Sequence, residues 1–328
     1  MRQPRIKVSA AVAEAVYHCM TRTVNGERIL DDVAKEVLRK QLWQIADFCG
    51  VSLLTYTILS NHFHALVHVP KKTVVDDDEL LRRYQVLYPK PTRYQTAQFS
   101  VVRAHLAANG PEAEAWRKRQ LALMGDVSQF MKLVKQRFTK WFNKTHNRYG
   151  TLWSERFKSV LVEPTSHVMQ TIAAYIDLNC VRAGLAQDPK DYRFCGYAEA
   201  VVGHPRARTG QIFATNAIRW NDAQVRYRQL LFGTGTDPRE HHGRIIAQDF
   251  QQTVQQEGKL SCASVLRCRI RYFSDGAVLG SKAFVETQLA DYRTRTKRRK
   301  PVSPRLLPSV TDWGELAVLR SVRHRGFG

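Results

Sequence analysis

The run Asn61-His62-Phe63-His64-Ala65-Leu66-Val67-His68-Val69 constrains this chain more than any other stretch. Side chains alternate along a strand, so His62 and His64 share one face while Phe63, Ala65, Val67 and Val69 line the other. The run predicts an inner strand of a sheet that presents a histidine pair on one side. Two neutral imidazoles two residues apart form half of a site for a divalent ion. His68 has the same parity but lies further along, which makes it a neighbour of the pair rather than a ligand. Alone, the pair also fits a strand whose histidines are merely hydrogen-bonded, so a third ligand and the chemistry must come from elsewhere in the chain.

The 328 residues can bury a large core or two ordinary ones, and two domains are expected. The formal charge of +22 exceeds what solubility requires and points to a polyanionic partner, nucleic acid before anionic lipid. No segment approaches the 18 or so uninterrupted apolar residues of a membrane span, so no membrane partner is expected. Glu14 interrupts any signal-like apolar stretch near the start. The six cysteines are scattered without a CxxC pair, which argues against a zinc ribbon or a disulfide framework and for reduced thiols in the cytoplasm.

Residues 12–24 read as a strand, 31–49 as an amphipathic helix, and 51–59 and 62–69 as two further strands. That order predicts an α+β fold with a ferredoxin-like antiparallel sheet and packed helices. Residues 70–111 read as a charged insertion carrying a helix. Helices are expected at 112–124, at 126–144 with its start at Asp126, and at 164–183 closing on Gly184, with a strand at 156–162. The Pro-, Arg- and Gly-rich residues 204–210 are the preferred linker. They divide a catalytic domain, 1–203, from a mainly helical, basic domain, 204–328, a candidate for DNA binding. Within the second, helices are expected at 221–231, 243–256, 260–271 and 281–292, the last two spaced like a helix-turn-helix, followed by a basic run at 293–300.

On the 164–183 helix, Tyr175 and Asn179 are four residues apart and share a face. If that face meets the histidine pair, the site holds two imidazoles, an amide oxygen and a phenol. Such a set suits Mg²⁺ or Mn²⁺ better than zinc. The fitting chemistry is transesterification of a DNA phosphodiester, with Tyr175 as nucleophile. A phenol of ordinary pKa, about 10, needs a nearby cation or base for that task.

The strand with His62-Phe63-His64, the block Asn147-Arg148-Tyr149-Gly150-Thr151-Leu152-Trp153-Ser154-Glu155-Arg156-Phe157-Lys158, and Tyr175-Ile176-Asp177-Leu178-Asn179-Cys180-Val181-Arg182-Ala183-Gly184 occur in that order. In this the chain resembles the single-tyrosine HUH transposases, and among them the REP-associated tyrosine transposases of bacteria, which act on single-stranded DNA bearing palindromic hairpins. The resemblance spans roughly the first 200 residues. It implies His62 and His64 as a metal pair, Asn179 as third ligand and Tyr175 as nucleophile forming a 5′-phosphotyrosine. It also implies a nucleoid-associated role in the bacterial cytoplasm and a monomer, with a dimer as the alternative. One departure is Cys180, where such proteins usually carry proline after the asparagine. Two other readings stand beside this one: a domesticated hairpin-binding protein or repressor that does not cut, and a metal-dependent hydrolase using water.

Single strands are gripped by basic grooves with aromatic platforms. The candidates are Lys135, Arg137, Lys140, Lys144, Arg148, Arg156 and Lys158, with Tyr149 and Trp153 to stack bases. Arg298 and Arg299 of the basic run would add a clamp on the hairpin.

Overall fold

Strand β1 (Ala15–Arg22) leads through a turn into helix α1 (Asp32–Cys49), then strands β2 (Ser52–Ile58) and β3 (His62–Val69). The Asp31 carboxylate caps α1 by accepting from Ala34 N, and Gly50 ends the helix at φ 63°, a left-handed conformation that favours glycine. The computed structural model describes residues 5–89, 98–232, 262–266, 270–296, 303–307, 313 and 316–320. After β3 come helices α2 (Asp77–Leu87), α3 (Phe99–Ala108), α4 (Pro111–Leu121) and α5 (Val127–Thr145), strand β4 (Lys158–Val162), and helices α6 (Ser166–Asp177) and α7 (Asn179–Arg182). Asp126 caps α5 as the sequence predicts, accepting from the backbone of Ser128 and Gln129.

The sheet runs β2-β3-β1-β4 through these strands, all neighbours antiparallel. With α1 between β1 and β2, and α5 between β3 and β4, this is the βαββαβ ferredoxin-like order expected above. The two faces carry different layers. Phe63 and Trp153 stack edge-on at 5.8 Å between ring centres, and Phe138 of α5 packs on Trp153. On the opposite face, Thr57 Oγ1 donates to Ile176 O at 2.8 Å, docking α6 beside His64.

Three expectations are corrected. The insertion is larger than residues 70–111: α2, α3 and α4 share a satellite core of Leu80, Leu81, Tyr84, Val102, Leu106, Ala113 and Trp116. The linker at 204–210 is instead the start of helix α9 (Pro205–Thr215), which follows the short helix α8 (Gly196–Val201) and precedes α10 (Trp220–Phe232). Pro205 occupies the first helical turn, where it costs no hydrogen bond, and Gly210 lets the helix lie on β2: a Cβ there would fall 2.6 Å from Leu54 O.

The helix-turn-helix is also absent from the described residues. Short helices α11 (Cys262–Leu266) and α12 (Arg271–Asp275) lead into strand β5 (Gly276–Ser281), which pairs parallel to β4. Helix α13 (Lys282–Thr296) and strands β6 (Arg305–Leu306) and β7 (Leu316–Arg320) follow, and the sheet continues β4-β5-β7-β6. The described part of residues 204–328 therefore adds three strands to the sheet of the first half. The expected helix at 243–256, Arg298 and Arg299 lie outside the described residues.

Candidate active site

Antiparallel pairing places Arg22 opposite His62, Met20 opposite His64 and His18 opposite Leu66. Opposed residues share a face, so the histidine side of the sheet carries His18 as well, a residue that strand parity on β3 alone does not reveal. His18 is fully buried, and its Nε2 lies 2.8 Å from His64 Nδ1 while its Nδ1 lies 2.8 Å from Phe273 O. His62 Nδ1 stands 2.6 Å from Asn61 Oδ1. The rings of His62 and His64 are 5.2 Å apart, and the Tyr175 ring is 6.4 Å from that of His64. His62, His64, Tyr175 and Asn179, the four candidates read from the sequence, all line one cleft of about 540 Å³. His68 is elsewhere, bonded to Glu14 at 3.0 Å and stacked on Phe213.

Burial pushes the His18 imidazole down to about 4. His64 is held well below the ordinary range, first by burial and then by the neighbouring His18, His62, Arg182 and Arg22. Near neutral pH both rings are uncharged, the form that ligates metals. Helix α6 ends at Asp177, Leu178 caps it, and Asn179 opens α7, yet the four-residue offset from Tyr175 survives the break. The Asn179 amide nitrogen donates to Tyr175 O at 3.3 Å and Ile176 O at 3.1 Å, which turns its oxygen into the available acceptor. Two imidazoles and an amide oxygen are therefore offered to one cleft, a donor set that fits a hard divalent ion with open positions. Among the described residues no cluster of three or more His, Cys, Asp and Glu provides a stronger site. Cys180, the departure noted above, is buried with its thiol donating to Asp177 O at 3.1 Å.

Arg182 lies in the block that begins at Tyr175, but residue spacing gives it no role. Its guanidinium lies 4.2 Å from the centre of the Tyr175 ring and donates to Tyr175 O at 2.5 Å and to Leu266 O at 2.6 Å. A cation is thereby fixed beside the phenol, which is 3% exposed. Behind both stands Asp177, fully buried, accepting from Thr55, Cys195, Gln211 and Tyr227. Burial raises its carboxyl to about 6 against those hydrogen bonds.

The candidate DNA contacts divide. Arg156 and Lys158 line the cleft with Arg22 and Arg182. Lys140 and Lys144 are exposed on α5, and Tyr149 is 94% exposed. Arg148 is near Glu27 at 3.9 Å. Arg137 instead donates to Leu87 O and faces Tyr88, away from the cleft. Lys135 donates to Glu155 O. Trp153 cannot stack on a base as expected, because it is core: 6% exposed, with its indole N–H donating to Lys135 O.

Residues 11–77 match the family model described as transposase, IS200 like. The match takes in β1, α1, β2 and β3, with His18, His62 and His64, and ends before Tyr175. No curated protein matches the chain. A solved structure of a REP-associated tyrosine transposase bound to a REP hairpin is similar with a TM-score of 0.38 at 14% identity, over 63% of this chain and 90% of that one. A likeness of that degree carries no functional weight. No helix among the described residues is long and apolar enough to cross a membrane.

Proposed function

We propose that the chain nicks and rejoins single-stranded DNA through a covalent bond to Tyr175, acting on hairpin-bearing elements in transposition. The observation that carries this reading is the convergence of His62, His64, Asn179 and Tyr175 on one basic cleft, within a fold whose first strands match a transposase family. His62, His64 and Asn179 would hold Mg²⁺ or Mn²⁺, which when bound would polarise the scissile phosphate. Tyr175 Oη attacks phosphorus and loses its proton. The P–O3′ bond breaks, the 3′-oxygen takes up a proton, and a 5′-phosphotyrosine remains. Arg182 holds positive charge against the phenol, and Arg22, Arg156 and Lys158 set the strand in place by its phosphates. Reversal by a 3′-hydroxyl rejoins DNA without an external energy source.

The test is incubation of the protein with Mn²⁺ or Mg²⁺ and labelled single-stranded hairpin DNA from the gene's flanks. The reading expects a metal-dependent, denaturation-resistant adduct that Tyr175→Phe abolishes. Cleavage retained in Tyr175→Phe would favour the hydrolase, and binding without any cleavage the non-cutting protein.

A further inference from the structure

His18 has no place in the motifs above, and its two hydrogen bonds assign it one. The Phe273 carbonyl can only accept, so the hydrogen on that 2.8 Å contact belongs to His18 Nδ1. In a neutral ring the lone pair is then on His18 Nε2, which must accept. The hydrogen on the second 2.8 Å contact therefore belongs to His64 Nδ1. His64 is left with its lone pair on Nε2, as a metal ligand requires. The opposite tautomer would set the lone pair of His18 Nδ1 against the lone pairs of the carbonyl.

We propose that Phe273 O and His18 form a positioning relay that fixes the tautomer and ring orientation of His64. Asn61 gives His62 the same polarity by a separate route. Its amide nitrogen donates to Gly26 O at 2.9 Å, so its oxygen accepts from His62 Nδ1. Both members of the pair thus carry their hydrogen on Nδ1, each directed by a different partner. The relay begins outside the segment that matches the transposase family, in α12 just before β5, so a backbone oxygen from the late part of the chain directs the histidine pair. Its consequence for metal binding rests on the function proposed above, whereas the tautomer does not.

The test uses the full chain without DNA. In metal-free protein labelled with ¹⁵N-histidine, two-bond proton–nitrogen correlations are expected to show His18 and His64 protonated on Nδ1. Mn²⁺ affinity, followed by the EPR signal of the free ion, is expected to fall about 10- to 100-fold in His18→Leu, the usual effect of losing such a partner. His18→Gln, which keeps an acceptor and a donor, restores most of it. A His64 proton on Nε2 in the wild type overturns the relay, as does a folded His18→Leu protein that binds Mn²⁺ as tightly as wild type. If His18→Leu does not fold, the wild-type spectrum decides alone. Wild-type protein with the predicted tautomers and no Mn²⁺ affinity would support the relay and refute the metal reading.

Discussion

Asp177 joins the nucleophile's helix to elements on both sides of residue 204, and its removal is expected to weaken the whole molecule. In Asp177→Ala the donors of Thr55, Gln211 and Tyr227 stay buried without their acceptor, at roughly 1–3 kcal/mol each. Against this, the variant is spared the ionisation of a buried carboxyl. The rise from 3.8 to about 6 makes that ionisation worth about 3 kcal/mol at pH 7.5. The expected net loss is about 3 kcal/mol at pH 7.5. The pH dependence has a definite sign. With its folded pKa raised, Asp177 contributes stability that is fully present below pH 3.8 and is lost as pH rises through about 6. The wild type therefore regains about half the ionisation cost at pH 5, and the gap to Asp177→Ala widens there by about 1.5 kcal/mol. Urea unfolding of both proteins with chelator at pH 7.5 and 5 measures this, and titrations common to both cancel. A gap below about 1 kcal/mol, or one that narrows on acidification, would refute the reasoning.

Gly210→Ala drives a Cβ against the backbone of Leu54 and is expected to destabilise by about 1–3 kcal/mol in the same unfolding assay, since the atoms it meets are backbone and not the end of a flexible side chain. Truncation after residue 203 removes Gln211 and Tyr227 from Asp177 and strips β5 from β4. Circular dichroism should show loss of cooperative unfolding, whereas an independently folded catalytic domain would melt as before. Arg156→Ala with Lys158→Ala should lower the salt dependence of single-strand binding by about 1.4 in the log–log slope, if each holds one phosphate. An unchanged slope places the strand elsewhere.

The sheet's first four strands are legible because their periodicities are local: alternation through residues 62–69, and a capped amphipathic helix between Asp31 and Gly50. The site is legible in outline for the same reason, as parity sets His62 beside His64 and helical spacing sets Tyr175 above Asn179. His18 is recoverable only once β1 is known to lie antiparallel to β3, a long-range pairing that no local pattern announces. β5 is harder still. Its sequence Gly-Ala-Val-Leu-Gly-Ser has no alternation, and its partner β4 is more than 100 residues away. The Pro and Gly of residues 205–210 suggest a linker because they break most helices. Here one sits where a helix begins and the other where a helix touches a strand. Trp153 was available as a stacking platform by composition alone, while its burial depends on Phe63 and Phe138 from two other elements.

The central claim is the covalent role of Tyr175, and trypsin isolates it. Cleavage after Lys158 and Arg182 releases residues 159–182, a peptide with a single tyrosine. Mass spectrometry of the digested, nuclease-trimmed protein–DNA adduct is predicted to find nucleotide mass on that peptide, at Tyr175. Nucleotide attached to any other peptide, or a cleaved strand with no attachment at all, would contradict the account.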